Sequence, residues 1–259
     1  MRDCLLCGGG PFCMDGELRD SGRKKKESGE IRPKKTRKAA GKSGGRYRQA
    51  AAGTEPGAGK DRSMEKRKDL GILFIGNSHT YYNDMPIMVK RRADEEGYDC
   101  RVTMIAHGGW HLSQHVKEPD VRFNILYGKY DYVVLQEHAH PFGPEEDFLE
   151  AAATLNRMIR EAGGTPVIYE CWAKKDEPEI QDAMNGIHRR AADETGALLA
   201  PVGECWWGYR GSRPDLEMYA PDGRHASPAG SDFAAGQIWT VIREDLGRKV
   251  KINERRTRE

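Results

Sequence analysis

From Leu70 onward, short runs of consecutive apolar residues alternate with longer amphipathic stretches, and this alternation limits the possible folds more than any other feature. The runs cover positions 71–75, 101–106, 132–135, 166–169 and 197–201. Each is too short for a stable helix and most are apolar at successive rather than alternate positions, so both faces are expected to be covered. Strands of that kind belong to buried parallel sheets. Helical patterns occupy 85–96, 145–162 and 179–195, and a less regular segment covers 112–130. A last helix is expected over 228–246, where Phe233, Ile238, Trp239 and Ile242 fall at helical spacing after an Asp-Gly turn. Strand–helix alternation over this length predicts a three-layer α/β/α domain, doubly wound on a mostly parallel five-stranded sheet. Such sheets bind ligands beyond the carboxyl ends of their strands, where the strand order reverses. Residues just after each strand are therefore where chemistry is to be sought.

Charge divides the chain in two. Residues 1–63 hold 16 Lys/Arg and 8 Asp/Glu, leaving 26 against 32 for the rest, so a basic head precedes a mildly acidic body. Runs such as Arg23-Lys24-Lys25-Lys26, set among Gly, Ser and Ala with little to bury, read as a disordered segment. A second reading is that Met64, just ahead of the first strand, is the true start and the head comes from an over-long gene model. Either way the compact domain is expected over 64–259. The head has little aromatic interleaving beyond Tyr47, so no specific nucleic-acid reader is expected, although salt-sensitive adhesion by a non-catalytic binding protein is one alternative. No apolar run reaches the roughly 18 residues that span a bilayer, and Leu5-Leu6 is too short for a signal peptide, so the expectation is a cytoplasmic protein without a membrane partner. Oligomeric state is left open. Cys4, Cys7 and Cys13 follow C-x2-C-x5-C but lack the fourth ligand of a closed zinc site. Cys100, Cys171 and Cys205 lie in apolar segments, where buried free thiols are expected.

Two motifs carry chemistry. The first strand runs into Gly76-Asn77-Ser78-His79-Thr80, where a glycine and a small polar turn can present a hydroxyl at the sheet edge. A serine hydroxyl needs an adjacent base to act as nucleophile. Near the other end, Asp222-Gly223-Arg224-His225 stands just before the last helix. Three residues of separation let a carboxylate hold the imidazole Nδ1–H and leave Nε2 free to take a proton.

Ser78 after the first strand, with Asp222 and His225 before the last helix, resembles the first and last blocks of the SGNH (GDSL-like) hydrolases. The likeness extends over residues 70–246 and is greatest to a bacterial branch with a G-N-S opening, a Leu-Gln-Glu third block and an Asp-Gly-x-His ending. It implies a flavodoxin-like fold and a serine esterase without cofactor or metal, with Ser78 as nucleophile, His225 as base and Asp222 as its support. It also implies an oxyanion hole made by the Ser78 N–H, a glycine N–H after the second strand and a side-chain amide after the third. Gly109 is the favoured glycine, with Gly108 the alternative, and Gln136 occupies the place where better-known members carry Asn in a G-x-N-D motif. Trp110, Trp172, Trp206, Trp207, Tyr81 and Tyr82 mostly follow strand ends and are expected to rim the site. Aromatic faces suit sugars, and there is no long apolar lid, so a small acyl group, acetyl above all, on a carbohydrate-like alcohol is the expected substrate.

The histidines offer a rival. His107, His111 and His115 recur every four residues, and His138 and His140 flank Ala139. His111, His115 and one of His138 or His140 could supply the three ligands of a zinc hydrolase. The absence of H-E-x-x-H and the helix-breaking Gly108-Gly109 weigh against it. His79 and His188 read as surface or structural residues.

Overall fold

In the computed structural model, residues 67–140 and 142–257 are described. The five apolar runs form five parallel strands: β1 (Lys68–Gly76), β2 (Tyr98–Ala106), β3 (Tyr132–Gln136), β4 (Thr165–Tyr169) and β5 (Leu198–Ala200). Their order across the sheet is β2-β1-β3-β4-β5. Consecutive apolar positions are required because the pleat sends neighbours to opposite cores. Ile72, Phe74, Tyr132, Val134, Val167 and Tyr169 enter one core, and Leu73, Ile75, Val133, Leu135 and Ile168 the other. The first face is covered mainly by α2 (Met85–Glu95), α7 (Val202–Ser212) and α8 (Pro228–Arg256). The second is covered by α3 (Leu112–His115), α4 (Pro119–Tyr127), α5 (Glu145–Glu161) and α6 (Gln181–Thr195). The three-layer, doubly wound architecture is the one the alternation predicts.

Three departures from the sequence reading have physical causes. The irregular segment 112–130 is two short helices, with Pro119 opening α4 at a position where its missing N–H costs nothing. Helix α7 carries no clear helical signal in the sequence because Gly203, Gly208 and Gly211 lower its helix propensity. Packing supplies the reason for the first: a Cβ at Gly203 would lie 2.1 Å from the Cys171 carbonyl oxygen. Helix α8 continues ten residues beyond 246 along a charged, exposed stretch that has no apolar pattern to read. Cys100 and Cys171 are buried free thiols as expected, whereas Cys205 is buried but is not a free thiol. The basic head, residues 1–63, and its Cys4, Cys7 and Cys13 lie outside the described residues.

The topology fixes one crevice. β1 is followed by β2 on one side, while β3 lies on its other side, so the chain leaves the ends of β1 and β3 in opposite directions. Ser78 lies two residues beyond the end of β1, as the first residue of the short helix α1 (Ser78–Tyr81), and Gln136 is the last residue of β3.

Candidate active site

The turn carrying Ser78 is held from several directions. Gln136 is fully buried, and its Oε1 accepts both the Asn77 N–H at 2.8 Å and the Thr80 hydroxyl at 2.9 Å. The Asn77 side chain caps α1 by accepting the His79 N–H at 3.1 Å, while its amide donates to the Trp110 carbonyl at 2.9 Å. His115 donates from Nε2 to the Gly76 carbonyl at 2.8 Å. The tightness of this packing explains Gly76: a Cβ there would stand 2.4 Å from Thr80 Oγ1 and 2.6 Å from Gln136 Oε1. As the first residue of α1, Ser78 presents one of the N–H groups that a helix start leaves without an intrahelical partner.

The other half of the site is a tight hairpin. Tyr219 and Ala226 form an antiparallel bridge, and Ala220 N–H donates to the His225 carbonyl at 2.8 Å. The hairpin is docked on the segment after β4. Trp172 Nε1 donates to the Arg224 carbonyl at 2.9 Å, Lys175 N–H to the Gly223 carbonyl at 2.9 Å, and the Tyr219 hydroxyl to the Ala173 carbonyl at 2.8 Å. Within it, Asp222 Oδ1 accepts the N–H groups of Arg224 and His225, each at 3.0 Å, and Oδ2 stands 2.5 Å from His225 Nδ1. Burial opposes ionisation of this carboxyl, but the His225 ring and the two backbone N–H groups outweigh it and hold the group down to about 2. The ionised carboxylate fixes the tautomer with the proton on Nδ1. Nε2 then faces Ser78 Oγ at 2.8 Å. A hydroxyl, an imidazole and a carboxylate in series can pass a proton from the oxygen to the ring while the oxygen attacks an electrophilic carbon.

A layer of rings backs the imidazole. Tyr82 stacks on it with centroids 4.0 Å apart and planes 7° from parallel. His79, buried, lies at 5.0 Å from it and also touches His140 and Trp172. Burial drives His79 well below its ordinary range, with His140 and His225 adding to the effect, so it packs there as a neutral ring. Burial likewise lowers His140 to about 4, and its Nε2 donates to the Trp172 carbonyl at 2.9 Å. Of the two options for His79, the structural one is found.

Other expected site residues are placed less simply. Gly109 has φ +74 and open space around it, in the exposed loop that the Asn77 amide ties to the Ser78 turn. Gly108 lies beside Tyr81, whose hydroxyl would stand 3.1 Å from an added Cβ. The Gln136 amide, expected to face an oxyanion, is turned inward: Oε1 serves Asn77 and Thr80, and Nε2 donates to the Glu137 carbonyl. Trp172 and Trp206, expected at the rim, are fully buried and stacked on each other at 4.0 Å, because a strand-end position does not decide which way an indole turns. Tyr81, Tyr82, Trp110 and Trp207 keep partial exposure.

Of the histidines of the zinc alternative, His111 and His138 lie side by side with ring centroids 4.6 Å apart, but no third one joins them. His115 is committed to Gly76, His140 to Trp172, and His111 Nδ1 to the buried carboxylate of Glu137 at 2.7 Å. Among the described residues no three His, Cys, Asp or Glu side chains are placed to share an ion. Glu137 was not singled out from the sequence. It accepts the Leu112 N–H at 3.0 Å and the His138 N–H at 2.7 Å, so it pins the loop after β2 to the end of β3, and burial raises its carboxyl despite those bonds. Asn77, Thr80 and Asn83 also went unread, although the Asn77-Ser78 step is a recognisable helix-cap signal and Asn83-Asp84 a recognisable turn signal.

No family model matches the sequence, and no curated protein matches it. Solved structures do. An SGNH-hydrolase-type protein from Slackia heliotrinireducens is 29% identical, with a TM-score of 0.59 over 68% of this chain and 100% of its own. An acetyl xylan esterase is 16% identical, with a TM-score of 0.54 over 66% of this chain and 98% of its own. A carbohydrate esterase of family 3 from Talaromyces cellulolyticus is 12% identical, with a TM-score of 0.54 over 69% and 99%. At those identities the last two carry the fold alone.

Proposed function

Because the chain belongs to the SGNH (GDSL-like) hydrolase superfamily, we propose that it is a serine esterase in which Ser78, His225 and Asp222 form the catalytic triad. One observation carries the reading: an unbroken series of contacts, 2.5 Å from Asp222 to His225 and 2.8 Å from His225 to Ser78. Ser78 Oγ attacks the ester carbonyl as its proton moves to His225 Nε2. The tetrahedral oxyanion is held by the N–H of Ser78 and the N–H of Gly109, donors of a kind worth about 3–4 kcal/mol each. Gln136 contributes by fixing the turn that aims the first of them. His225 then protonates the leaving alcohol, and water, activated by the same ring, releases the acid from the acyl-enzyme.

The substrate reading is a small acyl ester, acetyl above all, on a carbohydrate-like alcohol. It is supported by the partly exposed aromatic rings of Tyr81, Tyr82 and Trp110 around the site, and by the acetyl xylan and family 3 carbohydrate esterases that share the fold. Among the described residues no helix is long and apolar enough to cross a membrane.

The test is hydrolysis of p-nitrophenyl esters of increasing acyl length and of acetylated sugars, by wild type and Ser78→Ala. Wild-type turnover of the acetyl ester, with a loss of several orders of magnitude in the variant, is the expected result. Equal turnover by both proteins would remove the esterase reading.

A further inference from the structure

The turn between α1 and α2 is unusual in its backbone. Asn83 and Asp84 both have φ +55, two successive non-glycine residues in the left-handed region. Conformations of that kind persist only where the surroundings over-determine them, and they collect at functional sites. Here the surroundings are the His225 hairpin and the start of α8. Asn83 Nδ2 donates to the Ala226 carbonyl at 3.0 Å and to Ser231 Oγ at 2.9 Å, while Ser231 Oγ is 3.3 Å from the Tyr82 carbonyl. These bonds join segments more than 140 positions apart, and one of them grips the residue immediately after the base. Tyr82, next to Asn83, lays its ring on the imidazole itself. Neither residue belongs to either of the two apolar cores.

We propose that Tyr82 and Asn83 are positioning residues for His225 in the esterase reaction proposed above, on which this inference rests. Asn83 holds the hairpin at the distance that keeps Nε2 within reach of Ser78. Tyr82 holds the ring orientation and stabilises the imidazole once it carries the Ser78 proton. At that moment the ring bears a positive charge between the Asp222 carboxylate at Nδ1 and the newly formed tetrahedral oxyanion, and the negative face of the Tyr82 π system lies against it. The other groups that face the ring do not supply this. His79 is neutral, Ser78 has given up its proton, and Arg224 adds only repulsion as the exposed neighbour in the chain. Lys175 reaches the hairpin through Gly223, but its ammonium is paired with Glu217 at 2.6 Å.

The experiment compares the full-length protein with its Tyr82→Leu, Tyr82→Phe, Asn83→Gly and Ser231→Ala variants. It measures kcat and KM on p-nitrophenyl acetate, the pH dependence of kcat/KM, and the NMR titration of the His225 ring without substrate. Tyr82→Leu is expected to lower kcat about five- to tenfold with KM nearly unchanged, and to move both the acidic limb of the rate profile and the ring titration about half a pH unit lower. Tyr82→Phe keeps the π face and recovers most of both. Asn83→Gly retains the left-handed turn without a Cβ and removes only the amide, so a loss of about tenfold in kcat at little-changed Tm is expected, with a loss of about threefold from Ser231→Ala. Full kcat in Asn83→Gly would reduce Asn83 to a turn former and overturn its part. An unmoved His225 titration in Tyr82→Leu would overturn the part given to Tyr82. The titration needs no ester, so it still decides the ring contact in the case where Ser78→Ala hydrolyses as well as wild type and the esterase reading fails.

Discussion

The shorter of the two contacts that His225 makes in the series is the one with Asp222. With its carboxyl held down to about 2, Asp222 stays ionised across the working range. The depressed carboxyl contributes stability that is fully present above its ordinary value near 3.8 and is lost as the pH falls toward 2. Loss of activity in mild acid therefore comes from another group. Replacing Asp222 by Asn keeps the shape, but the amide no longer enforces the Nδ1–H tautomer; a fall of about three to four orders of magnitude in kcat is expected. Near-normal kcat in that variant would show that the imidazole is oriented without the carboxylate. Ser78, Asp222 and His225, which the structure brings into contact, stand out in the sequence because the chemistry expected of them admits few side chains. Gln136, Trp172 and Trp206 were misjudged for the opposite reason. Their types suit both a site and a core, and only the direction taken by the side chain separates the two.

At the level of elements, strands were easier to read than helices. A strand covered on both faces writes its burial into every residue, as Ile72-Leu73-Phe74-Ile75 does, whereas α7 hides its helical nature behind glycines demanded by neighbouring backbone. The link from β1 to α1 is the element on which the proposed chemistry rests. It has no slack around Gly76, where an added methyl would collide with Thr80 and Gln136. Gly76→Ala is expected to destabilise the fold by about 1–3 kcal/mol and to displace Ser78 from His225. The checks are denaturant unfolding together with kcat, and a variant of unchanged stability and activity would show that this turn can yield. The sequence offers Gly76 only as a residue that favours a turn. The reason for its presence is a side chain arriving from another strand, and pairing of β1 with β3 is not written locally.

At the scale of the whole molecule, one buried carboxyl lies away from the site. Glu170, fully buried at the end of β4, accepts the Glu204 N–H at 2.5 Å, and Oε2 has no partner among the described residues. Burial pushes its carboxyl up to about 8, against the pull of that N–H. A group raised in this way favours the folded state fully below its unfolded value near 4.5, and the contribution is lost as the pH climbs through about 8. Tm is accordingly expected to fall between pH 5 and 8 by an amount that reflects a few kcal/mol, on the order of the linkage for a shift of this size. Glu170→Gln should flatten that slope. Parallel Tm curves for the two proteins would place the titrating group elsewhere. The contrast between the basic head and the α/β body argues for an independent domain over 64–259, so a chain beginning at Met64 is expected to match the full-length protein in ester turnover and in salt dependence. A large loss of either would assign the basic head a working role.

Ser78 and His225 stand near opposite ends of the folded body, one just after β1 and the other just before α8, and they are brought together by the hairpin bonds, the Asn83 tie and the Tyr82 stack. If the proposed triad holds, a nascent chain carries its nucleophile long before it carries anything able to activate it, and hydrolytic power is expected to switch on late in synthesis, once α8 has emerged and docked. Turnover measured on stalled or shortened chains would then serve as a clock for completion of the fold, rather than a scale that rises with length.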